Sequence, residues 1–598
     1  MHVKRKTVLF IIGGAILLIL VKVLLDIPYR SNIPSLPDLQ SVTDSFKIQL
    51  TAASKKAYLN PTSDNLGMLG LVYHSSANYE KATACYKLAV KKNKSKWIWS
   101  YYLGYLELEM GESASAIESF ETVIKENPAS YYAWYYIGQG YQSMGANDKA
   151  ELAFKKIISI REKNLKENST LRTDFFPLHI YAKYQLARIY MNTGKLDLSE
   201  KELREILKEN HTFGAAYRLL ASIYSKEGNQ QLSDKYVLRA NDLINYASPV
   251  DNLIDKMTLL SKSDLYLMKQ IDEAERTVYP EWTVTLLNNA LRVAPANKYL
   301  ISKAVKLYLK MGTKQMAFPF LNQHLKYFKD DSNEIKEVAD MMNENGAFKQ
   351  SIYYFRQAVR LKPNDNELQS NMVLALFNAG MKEQSLDYMN ELLKKNKNNV
   401  ELLTNGAFIL MDMGETAKAQ EYMAELNRLA PNNPKVLKLE GMVAEREGKT
   451  NIALAQYEKS FKADPADMAT IQLLGNILLK QELWAKAIEH YRKALESHPN
   501  EPYLLEKLSS LLITCPDLTL RKIDEGIEYA ERALDHKSSP MEIVIKAGSN
   551  LSEAYAAKGD KATAIAYLNQ SIDLAQNNNA PKEYLKNLGQ KLRELSKK

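Results

Sequence analysis

Residues 97–128 read WIWSYYLGYLELEMGESASAIESFETVIKENP, one complete helix–turn–helix unit. Its small residues are Gly104, Gly111 and Ala116, and its bulky ones Trp97, Leu103, Leu108 and Phe120; Pro128 closes it. Shifted by 34 residues, the pattern returns as Ile137-Gly138, Tyr141, Gly145, Ala150 and Phe154. A fixed period of this size is the signature of a repeat array.

The same period runs outward in both directions. Toward the N-terminus the first unit is residues 63–96, with Leu69-Gly70, Tyr73, Ala82, Tyr86 and Ala89. Units at 180–213 and 214–247 follow an insertion, LKENSTLRTDFFPLH; a second insertion carries Pro249 and the apolar NLIDKMTLL. The unit at 264–297 is the weakest, with Pro280 in its turn and Thr283 at the usual small position. From Lys298 the period locks: turn glycines stand at Gly312, Gly346, Gly380, Gly414 and Gly448, and closing prolines at Pro363, Pro431, Pro465 and Pro499. The unit at Pro502 has extra residues before Gly526, and a last one spans 545–578.

This residue set resembles the tetratricopeptide repeat, W-x2-L-G-x2-Y, then A-x3-F, then P. The resemblance implies an all-α fold: a right-handed α-solenoid of about fourteen helix hairpins, each packed on its neighbours, which lets the chain grow past the limit of one compact core. The expected crossing in each hairpin pairs two small residues, Gly104 with Ala116, Gly441 with Ala453 and Gly475 with Ala487, while Phe120, Phe154, Phe355 and Tyr491 fill the space between units.

Ahead of the array, MHVKRK precedes TVLFIIGGAILLILVKVLLD. Residues 7–25 form an apolar run with one charge, Lys22. A helix of that length spans roughly 28 Å, near the thickness of a bilayer's hydrocarbon. Lys4, Arg5 and Lys6 hold the front end in the cytoplasm and place the rest outside. A cleaved signal peptide is the rival reading; no A-x-A-like site follows the run, so an uncleaved signal anchor is favoured. The organisation expected is therefore a cytoplasmic N-terminus 1–6, a transmembrane signal anchor 7–25, a Pro-rich linker 26–38 and a capping helix 39–62. An N-terminal array 63–247, an insertion 248–263, a C-terminal array 264–578 and a capping helix 579–598 follow.

Composition excludes several functions. Net charge is +9, with Lys and Glu mixed along helices, so nucleic acid is not an expected partner. Cys85 and Cys515 are far apart and read as buried thiols. The eight histidines are scattered, and no H-E-x-x-H, C-x-x-C or Walker loop occurs. Gly138-Gln139-Gly140 starts like a dinucleotide motif but sits inside a helix. No catalytic set, metal site or cofactor is expected.

Binding is the expected role. The resemblance implies that positions 2, 5, 9, 12 and 13 of each unit line a concave groove. Carried onto this chain they give His74, Tyr101, Tyr105, Tyr132, Tyr135, Tyr181, Tyr184, Arg188 and Arg218. Tyrosines at one edge and arginines at the other suit an extended peptide with an acidic or C-terminal group. The alternative is that these tyrosines are core. Gln472 stands where a chaperone-type carboxylate clamp needs Lys, so chaperone C-termini are not expected partners. The function expected is a membrane-anchored, non-enzymatic scaffold binding protein or peptide partners outside the cytoplasmic membrane. The alternative is an accessory subunit of an envelope enzyme or maturation system, such as cytochrome maturation or glycan transfer, whose catalysis lies on another chain.

Overall fold

The structure is a computed structural model that describes residues 21–40, 42–161, 176–243, 246, 248–276, 280–311, 313–328, 331–537, 539–578 and 580–597. All regular structure among them is helical. In sequence, helix pairs begin at residues 63, 97, 131, 178, 214, 264, 298, 332, 366, 400, 434, 468, 502 and 541, fourteen in number among the described residues. The chain divides into two compact units, Met1–Ala240 with Ile244–Met311, and Asn241–Leu243 with Gly312–Lys598.

The first unit opens with a helix over residues 21–30, α1. Then come α2 (Asp44–Leu59), α3 (Ser63–His74), α4 (Tyr79–Lys92), α5 (Trp97–Glu109), α6 (Ser113–Glu126), α7 (Tyr131–Ser143) and α8 (Asn147–Arg161). They are followed by α9 (Leu178–Asn192), α10 (Leu196–Glu209), α11 (Gly214–Lys226), α12 (Gln230–Asp242), α13 (Asn252–Leu260), α14 (Asp264–Arg276), α15 (Pro280–Val293) and α16 (Lys298–Lys310). Pro280 opens α15 instead of lying in the turn before it, since a first-turn proline lacks only an N–H that has no partner there.

The second unit holds α17 (Lys314–His324), α18 (Ser332–Glu344), α19 (Phe348–Leu361), α20 (Asn366–Asn378), α21 (Lys382–Lys395), α22 (Val400–Asp412), α23 (Thr416–Leu429) and α24 (Pro434–Arg446). It continues with α25 (Thr450–Ala463), α26 (Met468–Lys480), α27 (Trp484–Ser497), α28 (Pro502–Thr514), α29 (Ile523–Asp535), α30 (Met541–Ala557), α31 (Lys561–Asn577) and the closing α32 (Lys582–Lys597).

Local chemistry explains the spacing. From α16 to α28, the residue before each first helix is a cap: Asn297, Asp331, Asp365, Asn399, Asn433, Asp467 and Glu501 each accept from a backbone N–H of the first turn. At the far end of the hairpin the chain turns in the left-handed region. Gly414 takes φ +83 there, and where the repeat lacks glycine, Ala77 and Glu482 take φ 60 and 55.

The crossing differs from the Gly–Ala expectation. A Cβ on Gly104 would lie 2.9 Å from the Phe120 ring, one on Gly138 2.6 Å from Phe154, and one on Gly441 2.5 Å from Tyr457. The glycine makes room for the aromatic ring of its own hairpin. Ala116, Ala453 and Ala487 are buried, but they are not what faces it. Phe120 then continues the packing into the next unit, stacking on Tyr136 with centroids 5.2 Å apart.

One N-terminal expectation changes. The stretch 26–38 is not an extended linker throughout, because helix α1 runs through Pro28 to residue 30. Tertiary contacts outweigh the proline's missing hydrogen bond: Asp26 is buried and takes Lys92 Nζ at 2.6 Å, and the same ammonium stands 4.1 Å from the Tyr29 ring centroid. Residues 7–20 of the expected anchor lie outside the described residues. Among the described residues no helix is long and apolar enough to cross a membrane. Most of the first insertion, 165–175, also lies outside them. Both cysteines are buried, and burial pushes the Cys85 thiol up to about 12.

Candidate functional site

The first helices of the early repeats, α3, α5, α7, α9 and α11, carry the residues expected to face a ligand. In the structure that face is covered, from α3 to α9, by the chain itself. The segment from Tyr246 to Lys262, which includes α13, runs back along these helices from α9 to the capping helix α2.

The contacts are specific. Tyr132 donates its hydroxyl to the Val250 carbonyl, and Tyr102 to the Leu253 carbonyl at 3.0 Å. Tyr101 and Tyr136 both donate to Asp251 Oδ2, the latter at 3.0 Å. The other carboxylate oxygen accepts Leu253 N–H at 2.9 Å and so caps α13. Further on, Ser261 Oγ donates to the Ser75 carbonyl at 2.6 Å, Gln49 to the Leu260 carbonyl at 2.8 Å and Thr43 to the Lys262 carbonyl at 3.1 Å. At the other end the Tyr246 ring lies against Tyr181 and Tyr184, centroids 5.9 and 5.5 Å away, and its hydroxyl is 3.2 Å from that of Tyr135. Val250, Met257 and Thr258 are buried along the way.

The electrostatics follow from burial. Desolvation holds the Asp251 carboxyl above its ordinary range, although hydrogen bonds from Tyr101, Leu253 and Tyr136 pull the other way. Burial, and then the Asp251 charge, push Tyr101 and Tyr136 well above the usual phenol range, so both stay protonated donors.

The expected site residues divide accordingly. His74 is buried, with Nε2 2.6 Å from Glu109 and Nδ1 3.3 Å from the Tyr86 hydroxyl; it is part of the core. Tyr101, Tyr135 and Tyr181 are buried too, and Tyr105, Tyr132 and Tyr184 are half-buried. Arg188 and Arg218 are exposed; Arg188 donates to Gln185 at 2.9 Å, and Gln185 to Tyr135 at 3.2 Å. The tyrosines thus do line one face, but not an open one. The carboxylate held there is met by phenols, not by arginines. Asp251 and α13 are the partners that the repeat register could not supply. The one hint in the sequence was an apolar, helix-forming segment belonging to no repeat.

Beside the inserted segment a cavity of about 520 Å³ stays open, lined by Tyr105, Glu109, Asp255, Tyr266, Lys269, Glu273 and Trp282 among others. With Asp251, four carboxylates line it against one ammonium, so its charge balance is acidic. Burial and the nearby Glu109 raise Tyr105 and Tyr266. Among the described residues no group of three His, Cys, Asp or Glu side chains is placed to hold a metal ion.

On the second unit the first helices bond directly to one another. Lys336 bridges Asp340 and Glu367, both at 2.9 Å, Asn371 donates to Asp340 at 3.1 Å and Asn405 to Ser370 at 3.2 Å. The Phe377 and Phe408 rings meet edge to face at 5.4 Å.

Models of the tetratricopeptide repeat match residues 104–164 and 438–502 in one form, and 63–94, 180–210 and 549–578 in another. No curated protein sequence matches the chain. Among solved structures, yeast Tom70 is 15% identical over 89% of this chain and 95% of its own, with a TM-score of 0.35. The Cut9 and Hcn1 assembly of the APC/C is 15% identical over 84% and 99%, with a TM-score of 0.29. MamA is 19% identical over 29% and 92%, with a TM-score of 0.25.

Proposed function

Starting from a chain that carries tetratricopeptide repeats, we propose a membrane-anchored scaffold that binds protein or peptide partners outside the cytoplasmic membrane and leaves any chemistry to them. One observation carries the binding half: the inner face of the first repeats holds a non-repeat stretch of polypeptide, its own Val250–Leu253, where irregular chain enters α13, through a row of phenol hydroxyls aimed at carbonyls and a carboxylate. A surface that satisfies backbone carbonyls and a carboxylate in this way has the chemistry of a peptide-binding face. The anchoring half is supported by the sequence of residues 4–25, a basic leader followed by an apolar run.

A photo-crosslinking residue placed at 188 or 218 in the full chain tests the binding half. Both positions are exposed on first helices, whereas Leu152 is exposed on a second helix. Partner adducts from 188 and 218 but not from 152 support inner-face binding; adducts from 152 alone contradict it. Protease added to intact spheroplasts tests the topology, with loss of a C-terminal tag expected and full protection contrary to it.

A further inference from the structure

We propose that the end of α2, together with α1, forms a foot that beds into the headgroup layer of the bilayer, so that the first repeat stands on the membrane instead of hanging from a loose tether. This rests on the anchoring reading above. The occupant of this surface is the bilayer, because the uncharged run 7–20 enters α1 directly at residue 21.

Three observations carry the inference. First, α1 is docked on the first repeat. Its Asp26 is buried on Lys92, Arg30 donates to the Leu59 carbonyl at 3.3 Å, Lys22 Nζ donates to Asn60 Oδ1 at 3.2 Å, and Lys81 donates to the Ser35 carbonyl. A residue with a buried carboxylate inside the protein is not in hydrocarbon, so the span ends before Asp26, and Lys22 puts Asn60 at the level where it ends. Second, the surface around that point is apolar and open. Leu24 and Leu25 are each 65% exposed, Leu59 62% and Tyr58 56%. Leucines at this exposure are costly in water and stable at a lipid interface, and tyrosine is favoured at headgroup level. Third, the cations Lys22, Lys55 and Lys56 belong to the same two helices and are exposed, whereas Asp26 is buried and paired. Lysines at headgroup level draw anionic lipid and extend their ammonium groups into it.

The test uses the full chain in phosphatidylcholine–phosphatidylglycerol vesicles. Cys85 and Cys515 are buried, so a thiol-reactive fluorophore reports from an introduced cysteine, Leu59→Cys or Leu152→Cys, each at an exposed position. Circular dichroism confirms folding of each variant. In vesicles that carry the chain on flotation, a label at 59 is expected to be quenched by headgroup-spin-labelled lipid and shielded from iodide. A label at 152 is expected to show the reverse. Adding Asp26→Ala to the Leu59→Cys chain should lower the lipid quenching at 59 while flotation persists. If the chain floats but the label at 59 is as open to iodide as that at 152, the foot is wrong and the anchor stands. If the chain does not float, the anchor reading fails and the foot with it.

Discussion

The two units build the same hairpin by different means. In the second, the first helices from α18 to α28 each start on a capping side chain, at a spacing of 34 residues from Asp331 to Glu501, and neighbouring inner faces bond to each other. In the first, Thr62 and Asn297 cap the outer helices α3 and α16, but Lys96, Ser130, Pro177 and Phe213 precede α5, α7, α9 and α11 and none makes a side-chain cap. Order there comes from aromatic packing and from a segment outside the repeats, bound across the inner face. Where period and local caps are regular, nearest-neighbour contacts between hairpins hold the inner face; where the caps lapse, a non-local segment in cis covers it.

The largest way to break that contrast is Asp251→Ala. It strips two buried phenols and a helix cap of their acceptor, and should cost the first unit roughly 2–4 kcal/mol while leaving the second unmoved. Tryptophan fluorescence on denaturation separates the two, since Trp97, Trp99, Trp134 and Trp282 lie in the first unit and Trp484 in the second. The reverse cut is Gly475→Leu. A Cβ there would lie 2.7 Å from Tyr491 Cζ, and overpacking should destabilise the second unit by roughly 1–3 kcal/mol, read from its denaturant midpoint. Asn399→Ala removes one cap of the regular series and should cost about 1 kcal/mol in the same assay.

The pH dependence sharpens the comparison further. Burial lowers His490 below its ordinary 6.5 in the folded second unit, where Nε2 lies 2.8 Å from the Ile471 carbonyl. As pH falls through 6.5 the unfolded chain takes up a proton that the folded chain refuses, so the second unit should lose stability on the acid side. His490→Phe should flatten that part of the curve, measured by urea midpoints across pH. The smallest effect is Ala77→Gly: relief of a left-handed φ, set against glycine's extra chain entropy, should stabilise the first repeat by about 0.5 kcal/mol, visible in its thermal midpoint.

The hairpins themselves could be read from the sequence, because Gly145, Gly414 and Pro465 recur at a spacing that only stacked helix pairs require. The partner of Gly104 could not: small residues at two positions suggested a Gly–Ala crossing, and only three-dimensional packing shows Phe120 in that space. The capping row from Asn297 to Glu501 also recurs at the repeat period, but Asn, Asp and Glu are common at exposed positions all along the chain, so the row stands out less than the glycines and prolines. For the candidate site, the register placed Tyr101, Tyr132 and Tyr184 on one face. It could not show that Asp251, 150 residues beyond Tyr101, returns to cover it, because periodicity carries no information about a segment outside the repeats.

Hydrogen exchange of the backbone amides in α13 of the full chain tests the central claim, that the first unit's inner face is occupied by its own insertion. Amides from Met257 to Leu260 should exchange as slowly as those of the buried stretch of α7, and Asp251→Ala should speed both together. Exchange of α13 at the rate of a free peptide, with α7 still protected, would contradict the account.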